Sequence, residues 1–277
     1  MRFSILLMAL RWASREYQSI GKCQTIGCGP GELRVAKRVN SRLAKVMGRD
    51  ALNFKYLLRQ QGVLLGLIGL MFLIFFAQCL FGGRWYEGGM AVPGEVARSW
   101  HRLLAGEVAG KDLLEFGTLL SCAFLHGNFE HVLFNMLGFW VFGALLVELL
   151  GWRWMLGIFL TTAFFGSLTH AILNREEFIP MLGASGAVMG FEGAYLGLAT
   201  RWPLPNPHIW PISSPISPAT LGLLAAAGVA IDYTSLMRGS EMGVAYGAHV
   251  GGFMAGLLIA GLIAPQPRVY ARGFLRF

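Results

Sequence analysis

Along the 277 residues, apolar positions gather into six long runs, at about 62–81, 130–149, 153–173, 184–200, 218–236 and 243–264. A bilayer core about 30 Å thick needs roughly 20 helical residues to cross it. A helix pairs its backbone groups internally, as lipid demands of a spanning segment. The pattern therefore predicts an all-α polytopic membrane protein with six transmembrane helices. The fourth and fifth runs are the weakest, because each carries one acid, Glu192 and Asp232. Between the first two runs, residues 82–129 mix polar positions with Trp85, Trp100, Leu103, Leu104, Leu113, Leu114 and Phe116. That segment is too polar to span and too apolar to be free coil, so it reads as an interfacial helical insertion. Residues 202–218 hold six prolines and read as an irregular turn.

Composition agrees with lipid as the main solvent. Charged residues are 14% of the chain and hydrophobic ones 55%, whereas a soluble domain carries about a quarter charged. Glycine is abundant at 37 residues, and small residues let membrane helices approach closely. The net charge of +8 is uneven: residues 1–62 hold twelve of the 23 Lys and Arg against three acids, Glu16, Glu32 and Asp50. A basic arm ahead of the first span is expected on the cytoplasmic side and attracts anionic lipid head groups. Arg268, Arg272 and Arg276 make the tail basic too, and an even number of spans puts both ends on one side. Nucleic acid is the rival partner for the arm, but no nucleic-acid motif accompanies the charge. Cys23, Cys28, Cys79 and Cys122 show no C-x-x-C spacing, so neither a disulfide framework nor a metal site is expected. Residues 1–50 fit a cytosolic cap, an organelle transit segment, or residues upstream of a start at Met47. No A-x-A-like site follows the short apolar run after Met1, which argues against a secretory signal.

Strongly polar groups at membrane depth are costly and need a reason. The second run opens HGNFEHVLFNM, with His131 and Asn135 four apart on one helix face. His126, five residues before His131, is expected to point elsewhere. The fourth run opens MLGASGAVMG and places Ser185 at a helix start between Gly183 and Gly186. The sixth reads VAYGAHVGGFMAG, with His249 one turn from Gly252 and two from Gly256. Under the predicted topology the second, fourth and sixth helices all run inward from the outer face. Their polar groups then share one layer, roughly 5–10 Å deep at 1.5 Å per residue. Gly186, Gly190, Gly193 and Gly197 make a stripe on the fourth helix, and Gly252 and Gly256 make a G-x-x-x-G on the His249 face. Such stripes draw backbones together, and a nucleophile must come within about 2.6–3.2 Å of its base. Each residue also has a plainer reading. A serine in a glycine-rich span is usually packing, a lone histidine at a helix end is an interfacial donor, and an asparagine is interhelical glue. Their coincidence at one depth favours a serine nucleophile with a histidine base.

With AFLHGNFEHVLFNM, GASGAVMG and GAHVGGFMAG in that order on the second, fourth and sixth spans, the chain resembles the rhomboid intramembrane serine proteases over about residues 60–265. The resemblance implies a six-helix bundle with an interfacial first loop. It implies Ser185 as nucleophile, His249 as general base, and His131 and Asn135 as the pair that helps hold the oxyanion. It implies a structural part for His126, with Gly183, Gly186 and Gly252 packing around the site. Two departures stand out. Rhomboids often carry a Trp-Arg pair in the first loop, where this chain reads EFGTLLSCAFLHG, and Met189 occupies the position four after the serine that is aromatic in many members. Glu192, seven after Ser185 and about 10 Å deeper, reads as a structural hydrogen-bonding acid.

The expected organisation is a basic cytoplasmic segment over 1–61, a six-helix protease domain over 62–265 and a basic tail over 266–277. The expected activity is cleavage of transmembrane segments of other membrane proteins near the outer face, with no cofactor. The expected partners are those substrates and the lipid bilayer, not nucleic acid, and the expected place is a bacterial plasma membrane with both termini cytoplasmic. Two rivals stand against this reading. One is a catalytically silent relative that binds membrane proteins. The other is a solute channel lined by His131, Asn135 and Glu192, but no inverted repeat is present and the polar groups cluster at one side.

Overall fold

The computed structural model describes residues 54–82, 85–202, 204 and 244–268, with isolated positions between 220 and 237. The chain divides into two compact units, 1–57 with 204–221 and 58–203 with 222–277. Nearly all of the first unit lies outside the described residues, as does the tail beyond Arg268. The described residues form seven α-helices and no strand. These are α1 (Phe54–Phe81), α2 (Pro93–Leu104), α3 (Gly110–Ser121), α4 (Phe129–Leu149), α5 (Trp152–Leu173), α6 (Ser185–Arg201) and α7 (Tyr246–Leu258). α7 continues as a π turn, Ile259–Ile263, beside which Arg201 donates to the carbonyls of Ala260 and Ala264.

Among the described residues, four segments are long and apolar enough to cross a membrane: Gln61–Phe81, Phe129–Leu149, Trp152–Leu173 and Tyr246–Ile263. The predicted fourth span is α6, 17 residues long, or about 25 Å. Its composition is weaker because it faces other helices. Gly186, Ala187, Gly190, Phe191, Gly193, Ala194, Gly197 and Leu198 are all buried. The predicted fifth span falls mostly outside the described residues, and Asp232 with it; Leu223, Ala227, Gly228, Ala230, Tyr233 and Thr234 are helical.

Local chemistry sets the helix boundaries that matter for the site. Asn128 caps α4, its Oδ1 accepting the His131 backbone N–H at 2.8 Å. Between α4 and α5 the chain turns through Gly151 at φ 95°, a conformation open to glycine and strained for other residues. Pro93 opens α2 at its first turn, where no intrahelical N–H is needed. Asp112 starts α3 by accepting the Ala109 N–H at 2.8 Å.

The core is aromatic at mid-bundle. Phe139 of α4 meets Phe191 of α6 at 4.9 Å and Phe159 of α5 edge-on at 5.2 Å between ring centroids. α6 and α7 pack backbone to backbone. A Cβ on Gly252 would run into the Gly186 carbonyl, one on Gly256 into the Gly190 carbonyl, and one on Gly193 into the Phe253 carbonyl. The two glycine stripes interlock, and no side chain larger than hydrogen fits between them.

The first loop folds as α2 and α3, with Trp85, Trp100, Leu103, Leu104, Leu113 and Leu114 exposed. This matches the expected helical insertion. Arg102 on α2 donates from Nε to Asp112 Oδ1 on α3 at 2.7 Å, and Trp100 meets Phe116 edge-on at 6.4 Å. These contacts tie the two helices together without the Trp-Arg pair.

Candidate active site

Ser185 begins α6, and the link that carries it, residues 174–184, is held against the first loop by backbone bonds. Gly94 N–H donates to Glu177 O at 2.8 Å. Met181 N–H donates to Ala91 O at 2.8 Å, and Ala91 returns the bond at 3.2 Å. Gly183 N–H donates to Cys122 O at 2.9 Å. Beneath these bonds lies a buried cluster of Ala91, Val96, Leu119, Cys122, Ala171 and Met181. The first loop is thus part of the scaffold that sets where the serine stands.

Ser185 Oγ lies 2.8 Å from His249 Nε2, within the range in which a base takes a hydroxyl proton. Ser185 is half-buried and His249 buried. Behind the imidazole, Tyr246 presses edge-on at 6.3 Å from its own helix, one turn earlier. Met189, four after the serine, is half-buried, and a ring that packs against His249 comes from Tyr246. The i, i+3 spacing on one helix makes the two side chains neighbours, but no motif marked the tyrosine.

On the opposite flank stand His131 and Asn135. Gly183 has φ 124°, and a Cβ there would lie 2.6 Å from the His131 ring and 3.6 Å from Asn135 Nδ2. Both side chains therefore face the turn that carries Ser185, and only glycine lets them approach it. Asn135 is buried, and its Nδ2 donates to no described group. The helical ladder of α6 begins with Ala187 N–H and Val188 N–H, both donating to Ala184 O. The Ser185 N–H precedes that ladder and points out of the helix start. The start of α6, the Asn135 amide and the His131 imidazole thus lie together at the turn before Ser185.

His126 corrects an expectation. Its ring does not point away from His131 but lies against it, edge-on, with centroids 5.3 Å apart. α4 starts only at Phe129, so His126 belongs to the link before it and the helical spacing does not apply. The backbone of His126 is clasped by Gln78 of α1, which accepts its N–H at 3.2 Å and donates to its carbonyl at 3.4 Å. Neither ring nitrogen of His126 has a partner among the described residues. Burial, with the His131 ring beside it, pushes His126 down to about 4, so it is neutral at physiological pH. Gln78 was not singled out from the sequence, since a glutamine near a span end has no motif.

A small cavity reaches Ser185 from the side of α5, lined by Cys122, Ala123, Ala163, Ser167 and Gly183. Cys122 Sγ lies 3.3 Å from Ser167 Oγ, and burial pushes its thiol up to about 11. It stays a thiol and does not compete as a nucleophile. Glu192 is half-buried on α6, deeper than the serine. No cluster of His, Cys, Asp or Glu suited to a metal ion occurs among the described residues.

A rhomboid domain is matched by residues 114–266, more than half of the chain. This chain belongs to the rhomboid family. It is therefore an integral membrane protein with a polytopic helical bundle. Rhomboid protein 1, mitochondrial, of Saccharomyces cerevisiae is 33% identical over 150 residues, which is 48% of this chain and 41% of that one. RHOMBOID-like protein 5 of Arabidopsis thaliana is 26% identical over 151 residues, 54% of this chain and 45% of that protein. A putative rhomboid protease of Bacillus subtilis is 26% identical over 106 residues, 38% of this chain and 53% of its own length. The rhomboid chain described here thus spans about half, or less, of the relatives it matches.

Proposed function

We propose that this rhomboid is an intramembrane serine endopeptidase that cuts transmembrane segments of other membrane proteins near the outer face of the bilayer. The observation that carries this reading is the 2.8 Å contact between His249 Nε2 and Ser185 Oγ. It joins two helices whose glycine stripes leave no room for adjustment.

In this reading His249 takes the hydroxyl proton of Ser185 as Oγ attacks the scissile carbonyl. The carbonyl oxygen gains the charge, and the Ser185 N–H, Asn135 Nδ2 and the His131 ring donate to it. His249 then delivers its proton to the leaving amine nitrogen as the C–N bond breaks, leaving an ester on Ser185. A water molecule, deprotonated by His249, attacks that ester; the acyl C–Oγ bond breaks, His249 returns the proton to Ser185 Oγ, and the new carboxyl terminus leaves. Packing by Tyr246 and the α5 end, in place of a carboxylate, orients the base. The chain's own residues supply each step, and the reading calls for no cofactor.

The relatives come from a plant, a yeast mitochondrion and a bacterium, so they do not select a membrane. The basic arm supports cytoplasmic termini, with 1–61 and 266–277 flanking a protease domain over 62–265, and a bacterial plasma membrane is the setting we propose. A membrane-impermeant fluorophosphonate probe, with a reporter transmembrane substrate, tests site and orientation together. Labelling from the outer face and cleavage are both expected, and both are expected to vanish in Ser185→Ala. A wild-type protein that inserts yet neither labels nor cleaves would overturn the reading in favour of a silent membrane-protein binder.

A further inference from the structure

The rhomboid reading uses His131, Asn135, Ser185 and His249, and it leaves one more histidine beside the base unexplained. His170 sits in the last turn of α5, half-buried, against the first turn of α7. A Cβ on Gly247 would lie 3.0 Å from His170 Cα and 3.1 Å from its Nδ1. On either side the same two helices touch again. Gly251 abuts the Thr169 side chain, and a Cβ on Gly166 would lie 2.7 Å from Ala248 O. His249 projects from the short stretch of α7 clamped by these three contacts.

Asn174 settles the state of the His170 ring. Its Nδ2 is 3.0 Å from His170 Nδ1 and 3.0 Å from the His170 carbonyl oxygen. A carbonyl oxygen only accepts, so the group facing both atoms is the amide NH2. Nδ1 must then accept as well, which places the ring proton on Nε2 and leaves the imidazole neutral. A neutral ring is what this position requires, since His249 becomes a cation during attack and a second cation beside it would oppose that step.

We propose that His170, oriented by Asn174, is a positioning residue that seats the first turn of α7 and so sets the reach of His249 to Ser185. The inference presupposes the Ser185–His249 dyad. A purely structural alternative exists, because Asn174 also caps α5, its backbone N–H donating to His170 O at 3.0 Å. The two differ in what they would change. Loss of a cap lowers stability, whereas loss of positioning lowers turnover by more than it lowers binding.

The experiment compares wild type, His170→Ala, His170→Asn and Asn174→Ala in proteoliposomes. It reads kcat, KM, fluorophosphonate labelling rate and melting midpoint. His170→Ala is expected to lower kcat and labelling by about 10- to 100-fold, the scale of a small misplacement of a reacting group, with KM within about twofold. His170→Asn keeps an acceptor near the Nδ1 position and is expected to recover most of that loss. His170→Phe serves if the alanine variant does not fold. Unchanged kcat in His170→Ala would overturn the inference. So would a loss that follows the melting midpoint and is not rescued by His170→Asn. Failure of the dyad reading is distinguishable, because it appears as an inert wild type.

Discussion

Asn135 holds a buried amide nitrogen with no described partner, and such a group costs about 1–3 kcal/mol. In the proposed mechanism that nitrogen donates to the oxyanion. We expect Asn135→Ala to lower kcat by about 10²–10³, the range for one lost oxyanion donor, while the folded protein loses no stability. Steady-state cleavage beside a melting curve checks this, and a variant as fast as wild type would remove Asn135 from the oxyanion site. Ser185, His249, His131 and Asn135 were legible in the sequence because each sits where lipid should exclude it. Gln78 and His170 were not, since their contacts are with residues on other elements, and Tyr246, though an i, i+3 neighbour of His249, belongs to no motif. The direction of the His126 ring was misjudged because the start of α4, set by the Asn128 cap, decides which spacing applies.

Among the helices, α6 and α7 meet through glycines whose hydrogens face carbonyl oxygens. In lipid, without a hydrophobic drive between helices, such close approach provides the packing. Gly256→Val would push α7 off the Gly190 carbonyl and draw His249 away from Ser185. Gly157 of α5 has nothing within 4 Å of a built Cβ and makes a matched control. We expect Gly256→Val to abolish fluorophosphonate labelling and Gly157→Val to retain it. Equal labelling of the two would show that the interlocked stripes do not control the site. The stripes were visible as spacings in the sequence, but a spacing does not say which helix lies opposite.

Across the molecule, the first loop and the link before Ser185 share three sets of backbone bonds and one buried cluster, so the stability of α2 and α3 reaches the nucleophile. Asp112 is fully buried and pairs with Arg102. The hydrogen bond from Arg102, followed by the Ala109 N–H, holds its carboxyl down from 3.8 to about 2. A depressed carboxyl stabilises the fold above the unfolded value, and the contribution is lost as pH falls through the folded one. Asp112→Asn is therefore expected to melt below wild type at neutral pH, with the gap shrinking as pH falls from about 4 towards 2. Melting curves at several pH values in detergent check this. A gap of constant size would mean that the side chain's shape, not its charge, holds the loop.

By itself the sequence determined the number and order of the apolar runs, the helical first loop, and the residues able to carry acyl-transfer chemistry. These follow from local physics, because the thickness of lipid sets run length and the cost of burying polar groups singles out the exceptions. Only the tertiary structure decided that Ser185 and His249 meet at 2.8 Å, that Gln78 clasps the backbone of His126, and that the first loop holds the turn before the serine. Those contacts join residues far apart in the chain. They depend on which helix faces are opposed and on how closely glycine lets them come, and neither quantity is written in any single segment.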